Sequence, residues 1–74
     1  MNYPTIGLYR HYKGNMYQVI GTAQHSETAE LMVVYQCLYG EYGLWLRPLS
    51  MFNEWVTLDN GQSVPRFEFI QRHF

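Results

Sequence analysis

The stretch that most constrains the fold runs from Glu30 to Leu49 and is the densest β-forming sequence in the chain. Residues 31–39 combine β-branched and aromatic side chains, a turn with two glycines follows at residues 40–43, and a second apolar segment ends at Pro48. Such side chains favour strands, glycines permit a tight turn, and a proline has no N–H to donate to a sheet. The pattern predicts an antiparallel hairpin whose first strand is central and apolar on both faces.

The segments on either side of this hairpin predict further short strands. Residues 8–13 and 16–23 flank Gly14-Asn15, a tight-turn signal, and predict a first hairpin with a bulge or bend at Gly21. Residues 49–55 fit one helical turn, and residues 56–58 and 64–70 predict a last hairpin. Five or six strands with one helical turn predict a mainly β fold, a small, partly open SH3-like barrel. Such folds are binding scaffolds more often than catalysts.

The length of 74 residues predicts a single domain, with residues 1–6 as an N-terminal lead-in and residues 7–74 as the β-barrel domain. The hydrophobic fraction of 47% with 15% charged residues is typical of a chain that folds rather than a disordered one. The aromatic fraction is 18%, which is more than so small a core can bury. We therefore expect some aromatic side chains to face solvent.

Charge and cysteine content exclude several classes of function. A formal net charge of −1 argues against non-specific binding to duplex DNA and against attraction to an anionic membrane. The single Cys37 cannot form an internal disulfide, and its apolar strand predicts a buried thiol rather than a reactive one. No signal peptide and no apolar run of about 18 residues is present, so a cytoplasmic location without a membrane partner is expected. His11, His25 and His73 are too widely spaced to predict a metal site, and no cofactor is predicted.

Two groups of polar residues are candidates for a site. The loop His25-Ser26-Glu27-Thr28 presents either an imidazole and a carboxylate to a ligand or side chains that cap the loop's own backbone. His25 and Ser26 are adjacent, so they do not form a nucleophile and base pair. Arg10, Arg47 and Arg66 either converge into a pocket for a carboxylate or phosphate or pair singly with Glu27, Glu30, Glu54 or Glu68.

The aromatic residues offer a different kind of site. Six of them cannot all be fully buried in a small barrel: Tyr9, Tyr12, Tyr35, Tyr42, Trp45 and Trp55. They either line a stacking groove for a peptide or for single-stranded bases, or fill the core with their polar ends in water. The sequence leaves both interpretations open.

Several of these residues fall in motifs that occur in a fixed order. The motifs are Tyr-Arg-His-Tyr-Lys-Gly-Asn at 9–15, His-Ser-Glu-Thr at 25–28, Val-Val-Tyr at 33–35, Leu-Tyr-Gly at 38–40, Trp-Leu-Arg-Pro-Leu-Ser-Met-Phe at 45–52 and Pro-Arg-Phe at 65–67. As a set, over roughly Gly7 to Ile70, they resemble the bacterial family called domain of unknown function 1653. The resemblance implies one small domain in a bacterial or phage cytoplasm, and it supplies no catalytic residues.

The favoured interpretation is a non-catalytic binding module that recognises a peptide, a protein or a single-stranded nucleic acid. Its candidate ligand-binding residues are Arg10, His11, Tyr12, His25, Ser26, Glu27, Trp45, Arg47 and Arg66. One alternative is an enzymatic or small-ligand domain in which His25 and Glu27 act as acid and base and Arg47 holds an anion. The other is a structural adaptor that oligomerises through the strand at residues 31–39 as an edge.

Overall fold

A computed structural model describes residues 3–72, and the predictions for residues 1–2, 73 and 74 lie outside the described residues. The described chain is mainly β, as predicted, with seven strands and one short helix. The elements are β1 (Gly7–His11), β2 (Met16–Gln24), β3 (Leu31–Cys37), β4 (Leu44–Pro48), α1 (Leu49–Phe52), β5 (Trp55–Thr57), β6 (Ser63–Pro65) and β7 (Phe67–Gln71).

The strands form two antiparallel sheets. The larger sheet has the order β4-β3-β2-β1-β7, and β5 and β6 form a separate two-stranded sheet. Within residues 3–72, β4 and β7 are therefore open edges and no closed barrel forms. The sequence-based proposal that the strand at residues 31–39 is an edge is wrong, because β3 pairs with β2 on one side and β4 on the other.

The hairpin that dominates the sequence forms as predicted. β3 and β4 pair with Tyr35 opposite Trp45 and Val33 opposite Arg47, and the pairing ends at Pro48. The predicted irregularity at Gly21 is also present, since the register between β2 and β3 shifts between Val19 and Gly21. Both features arise from local signals, namely the missing N–H of proline and the conformational freedom of glycine.

The prediction of five or six strands is too low, because the expected closing strand at residues 64–70 is divided at Arg66. The N–H of Arg66 donates to the carbonyl of Glu54 (2.9 Å), and its carbonyl accepts from the N–H of Tyr12 (3.0 Å). The chain leaves the small sheet and enters the large one at this residue. β6 therefore pairs with β5, whereas β7 pairs with β1.

The core lies between one face of the large sheet and α1. The stacked rings of Phe52, on α1, and Phe67, on β7, have centroids 4.3 Å apart and planes 3° apart. Cys37 is buried with a free thiol, as predicted. The buried apolar residues are Tyr9, Tyr17, Val19, Val33, Tyr35, Cys37, Leu49, Phe52 and Phe67. In the described part of the chain, no helix has the length and apolar character needed to span a membrane.

Thr5, in the predicted lead-in, is hydrogen-bonded to the core residue Tyr9. The hydroxyl of Tyr9 donates a hydrogen bond to the carbonyl of Thr5 (2.8 Å). Burial raises the pKa of the Tyr9 phenol. The neighbouring Pro4 lines a cleft with Tyr9 and Trp55. Pro4 and Thr5 of the lead-in therefore lie beside the core residue Tyr9.

Gly7 at the start of β1 provides a test of this arrangement. Its φ is +150°, and a Cβ there would overlap the carbonyl oxygen of Gln71 and lie 2.9 Å from the Cα of Arg72. We expect Gly7→Ala to lower the free energy of unfolding by about 2–3 kcal/mol in urea denaturation. Gly21→Ala is the control, because a Cβ at Gly21 meets nothing within 4 Å and should change stability by less than about 1 kcal/mol. Equal effects of the two substitutions would contradict the packing of β1 against β7.

Candidate functional site

Three basic side chains from separate segments lie near one another, since the charges of Arg66 and Arg47 both act on His11, and we call His11, Arg47 and Arg66 the basic cluster. His11 lies opposite Phe67 in the pairing of β1 with β7, and Arg66 directly precedes Phe67. Arg47 lies opposite the buried Val33. Because cross-strand partners share a face, both His11 and Arg47 project from the core side of the sheet. All three are partly buried.

The ring of Phe67 is the platform of the basic cluster. The guanidinium carbon of Arg47 lies 5.6 Å from the centre of this ring, within the range of a cation–π interaction. The imidazole of His11 meets the same ring edge-on, with centroids 5.0 Å apart and planes at 79°. One buried aromatic ring therefore orients two of the three basic groups.

The cationic charge of the cluster is only partly compensated within residues 3–72. Arg66 lies 3.7 Å from a carboxylate oxygen of Glu54, which is too long for a good hydrogen bond, and Arg47 forms no ion pair there. The Nε–H groups of Arg47 and Arg66 are buried and have no hydrogen-bond acceptor among those residues. A buried N–H without an acceptor costs about 1–3 kcal/mol, so stability alone does not account for this arrangement. Guanidinium donors match the oxygens of a carboxylate or phosphate.

His11 contributes an uncharged hydrogen-bond donor to the cluster. Burial lowers the pKa of His11, and the positive charges of Arg66, Arg47 and Lys13 lower it further. Its Nδ1 accepts a hydrogen bond from the backbone N–H of Lys13 (3.1 Å). A neutral imidazole whose Nδ1 accepts carries its proton on Nε2. At neutral pH, His11 therefore adds a donor without adding to the repulsion between the arginines.

A chain of aromatic contacts extends from the basic cluster across the sheet. The ring of His11 lies 4.6 Å from Tyr12 and 6.3 Å from Tyr17, centroid to centroid. The hydroxyls of Tyr17 and Tyr39 are hydrogen-bonded at 2.8 Å, and burial together with this bond raises the pKa of Tyr17 to about 12. Trp45 lies two residues before Arg47 on the same face and is exposed. We call Tyr12, Tyr39 and Trp45 the aromatic rim.

The predicted loop site is organised differently. The Nδ1 of His25 accepts the backbone N–H groups of Glu27 (3.1 Å) and Thr28 (3.3 Å), and the hydroxyl of Thr28 accepts the N–H of Glu30. These bonds cap a tight turn, which is one of the two roles that the sequence left open. His25, Ser26 and Glu27 are exposed. In the described chain no ion pair joins His25 to Glu27 or to an arginine.

Arg10 is separated from the other two arginines. It alternates with His11 along β1, so it projects from the opposite face, where its Nη2 lies 2.9 Å from a carboxylate oxygen of Glu68. Both side chains are more than half exposed. Of the three arginines predicted either to converge or to pair, Arg47 and Arg66 act electrostatically on His11, whereas Arg10 is paired with Glu68. Arg10 and His11 also both line a cleft of about 240 Å³, together with Tyr12, Leu58, Val64, Pro65 and Glu68.

The sequence-based candidates did not include Phe67 or Tyr39, although both lie in the quoted motifs. Phe67 follows Arg66 and begins β7, and Tyr39 is the central residue of the Leu-Tyr-Gly motif. The missing information was which strand pairs with β7, because only the β1–β7 register brings Phe67 beside His11. No group of three or more potential metal ligands occurs within residues 3–72.

Comparisons with known proteins give a family without an assigned activity. The family model described as "Protein of unknown function (DUF1653)" matches residues 7–69. A crystal structure of a DUF1653 protein from Bordetella bronchiseptica is similar, with a TM-score of 0.80 and 42% sequence identity. That similarity covers 88% of this chain and 85% of the other chain. No curated protein matches at a significant level.

The electrostatics of the cluster predict how His11 titrates. We expect its pKa to lie below 6.5 and to rise in Arg47→Met, because a positive neighbour that disfavours the imidazolium is removed. The measurement is a proton NMR titration of the His11 ring. Arg10→Met is the control and should leave the pKa of His11 unchanged, since Arg10 faces Glu68. An unchanged value in Arg47→Met would contradict the proximity of Arg47 to His11.

The same shift predicts how stability depends on pH. The pKa of His11 is lower in the folded chain than in the unfolded chain, so the unfolded chain takes up this proton at a higher pH. The contribution of His11 to the free energy of unfolding therefore declines as pH falls below about 6.5.

Proposed function

We propose that this chain, which belongs to the DUF1653 family, is a non-catalytic binding module that recognises its partner through the basic cluster and the aromatic rim. The observation that carries the proposal is the environment of the Arg47 guanidinium, which is held in place but not paired with a carboxylate among residues 3–72. This guanidinium lies over the Phe67 ring, it has no ion pair among residues 3–72, and its buried Nε–H lacks an acceptor there. A partner that brings an anionic group to Arg47 and Arg66 would compensate the charge of their guanidinium groups.

The chemistry of the cluster favours polypeptide over nucleic acid as the partner. Two partly buried arginines and a neutral imidazole suit one carboxylate or phosphate group better than a continuous phosphate backbone. The whole chain has only five Lys and Arg residues, and Arg10 is paired with Glu68 on the other face. Few cations therefore remain for a row of phosphates. A single-stranded nucleic acid that stacks bases on the aromatic rim is the competing partner.

We also propose a more specific fold type and a cellular compartment for this chain. We interpret the large sheet, with its bulge at Gly21 and the helical turn α1 beside it, as an SH3-like partly open barrel. A bacterial cytoplasm is the expected setting, and the free, buried thiol of Cys37 is compatible with a reducing compartment.

Binding tests with matched arginine variants examine the proposed function. The probes are a library of acidic peptides and a set of single-stranded oligonucleotides, with Trp fluorescence as the readout. We expect saturable binding by the wild-type chain and a loss of about tenfold or more in affinity in Arg47→Met, because a hydrogen bond to a charged group contributes about 1.5–3 kcal/mol. Tyr12→Ala should also weaken binding.

The control for this experiment is Arg10→Met, which removes the same charge from the opposite face. It should bind the probes within about twofold of the wild-type affinity at moderate salt, because exposed charges contribute little. Circular dichroism of each variant separates loss of binding from loss of folding. The absence of saturable binding to any probe, or equal losses in Arg47→Met and Arg10→Met, would refute the proposed function.

A further inference from the structure

We propose that the partner binds as an extended peptide that adds a strand to the open edge of β4 and places an acidic side chain on Arg47. The inference rests on the proposed function and specifies its partner. In strand addition, backbone hydrogen bonds to a sheet edge provide affinity, and alternate side chains provide specificity. Three features of β4 support this mode: the direction of its free backbone groups, the lack of protection along its edge, and its charge.

The backbone of β4 presents hydrogen-bonding groups at the edge. The N–H of Cys37 donates to the carbonyl of Gly43 (2.9 Å), and the next pairs in this register are Gln36 with Leu44 and Tyr35 with Trp45. Hydrogen-bonded and non-hydrogen-bonded pairs alternate in an antiparallel ladder. The backbone groups of Trp45 and Arg47 are therefore directed at β3. Those of Leu44 and Leu46 are directed away from it, towards the open edge.

The edge has little of the protection that usually prevents strand pairing. Natural edge strands are commonly blocked by lysine, proline, bulges or covering segments. β4 contains one arginine and a proline at its last position, and its register with β3 has no irregularity. The side chains of Leu44, Trp45 and Leu46 are 65%, 58% and 58% exposed. Such an edge can accept a strand alongside Leu44 and Leu46.

The charge at the edge selects the chemistry of the added strand. Arg47 and Trp45 project on the core side of β4, and Leu44 and Leu46 project on the opposite side. An added strand therefore places one set of side chains beside Arg47 and the alternate set beside the leucines. An acidic residue suits the first position and apolar residues suit the second. The basic cluster strengthens the preference for acid, because Arg66 and Arg47 are both close enough to His11 for their charges to act on it.

A second copy of this chain fits the edge less well. β4 consists of Leu44, Trp45, Leu46, Arg47 and Pro48 and contains no acidic residue. Pairing of β4 with another β4 would bury more of the two arginines without supplying an acceptor. An acidic peptide supplies that acceptor, and it is the occupant to which the proposal commits.

The experiment uses two libraries of ten-residue peptides and the full 74-residue chain. One library has Glu fixed at a central position and the other has Gln there, with the remaining positions randomised. The readouts are the amide NMR signals of Leu44 and Leu46, the ring signal of His11, and the affinity of the best peptides. We expect the Glu peptides to shift all three signals and to bind about tenfold or more tightly than their Gln counterparts. Arg47→Met should abolish that preference.

Two substitutions at Leu46 separate strand addition from other modes of contact. Leu46→Pro removes the N–H that faces the open edge, at a position where the sheet tolerates proline, and should abolish binding. Leu46→Thr keeps that N–H and should retain binding to within about threefold. Amide spectra without peptide check that both variants are folded.

The outcomes that overturn the inference are distinct from those that overturn the proposed function. Peptides that shift His11 but not Leu44 or Leu46, with binding intact in Leu46→Pro, would refute strand addition and leave the proposed function standing. Binding of oligonucleotides, with no binding of either peptide library, would also refute strand addition and leave the proposed function standing. A third outcome is that the amide signals of Leu44 and Leu46 shift with protein concentration when no peptide is present. This would show that a second copy of the chain occupies the edge, and it would refute the proposal that a peptide does. No saturable binding by any probe would refute both proposals.

Discussion

The stacked pair of Phe52 and Phe67 is the contact on which the rest of the structure depends. It joins α1 to the large sheet, and the ring of Phe67 also meets the edges of Tyr17 and Tyr35, at 5.5 Å and 5.7 Å between centroids. The imidazole of His11 and the guanidinium of Arg47 also contact the ring of Phe67. The contact that closes the core therefore also fixes the positions of two basic groups, which gives a very small domain a rigid base for a binding surface.

The distribution of charge around this contact is uneven in a way that folding does not require. Glu68 pairs with Arg10 on the outer face, and Glu54 lies near Arg66 at a long distance. Arg47 has no such carboxylate within residues 3–72, although it is partly buried and next to other cations. Burial lowers the pKa of His11, and the positive charges of Arg66, Arg47 and Lys13 lower it further. The chain thus holds Arg47 over an aromatic ring without a paired carboxylate among residues 3–72, as a site for an anionic group would require.

Local signals in the sequence predicted much of the fold. The hairpin of β3 and β4, the bulge at Gly21, the end of pairing at Pro48 and the burial of Cys37 follow from side-chain alternation and the properties of glycine and proline. The division at Arg66 did not follow, because it depends on backbone bonds to Glu54 and Tyr12, which are distant in sequence. The identity of the edge strand also depends on long-range pairing.

The candidate site was predictable to a smaller extent for the same reason. Residue types identified Arg47, Arg66 and His11 as candidates, but their approach requires the pairing of β1 with β7 across more than fifty residues. The role of His25 was left open because an imidazole that caps a turn and one that contacts a ligand have the same sequence signal. The backbone of residues 25–28 shows that the Nδ1 of His25 caps the turn.

The central claim is that Arg47 is held in place for a partner and contributes little to folding. Urea denaturation of Arg47→Met at pH 7 tests it most directly, because Met keeps much of the side-chain volume and removes the charge and the buried Nε–H. If the claim is right, the free energy of unfolding will equal or exceed that of the wild-type chain. A loss of more than about 2 kcal/mol, beyond the range of a cation–π contact, would show that Arg47 is a structural residue and contradict the account.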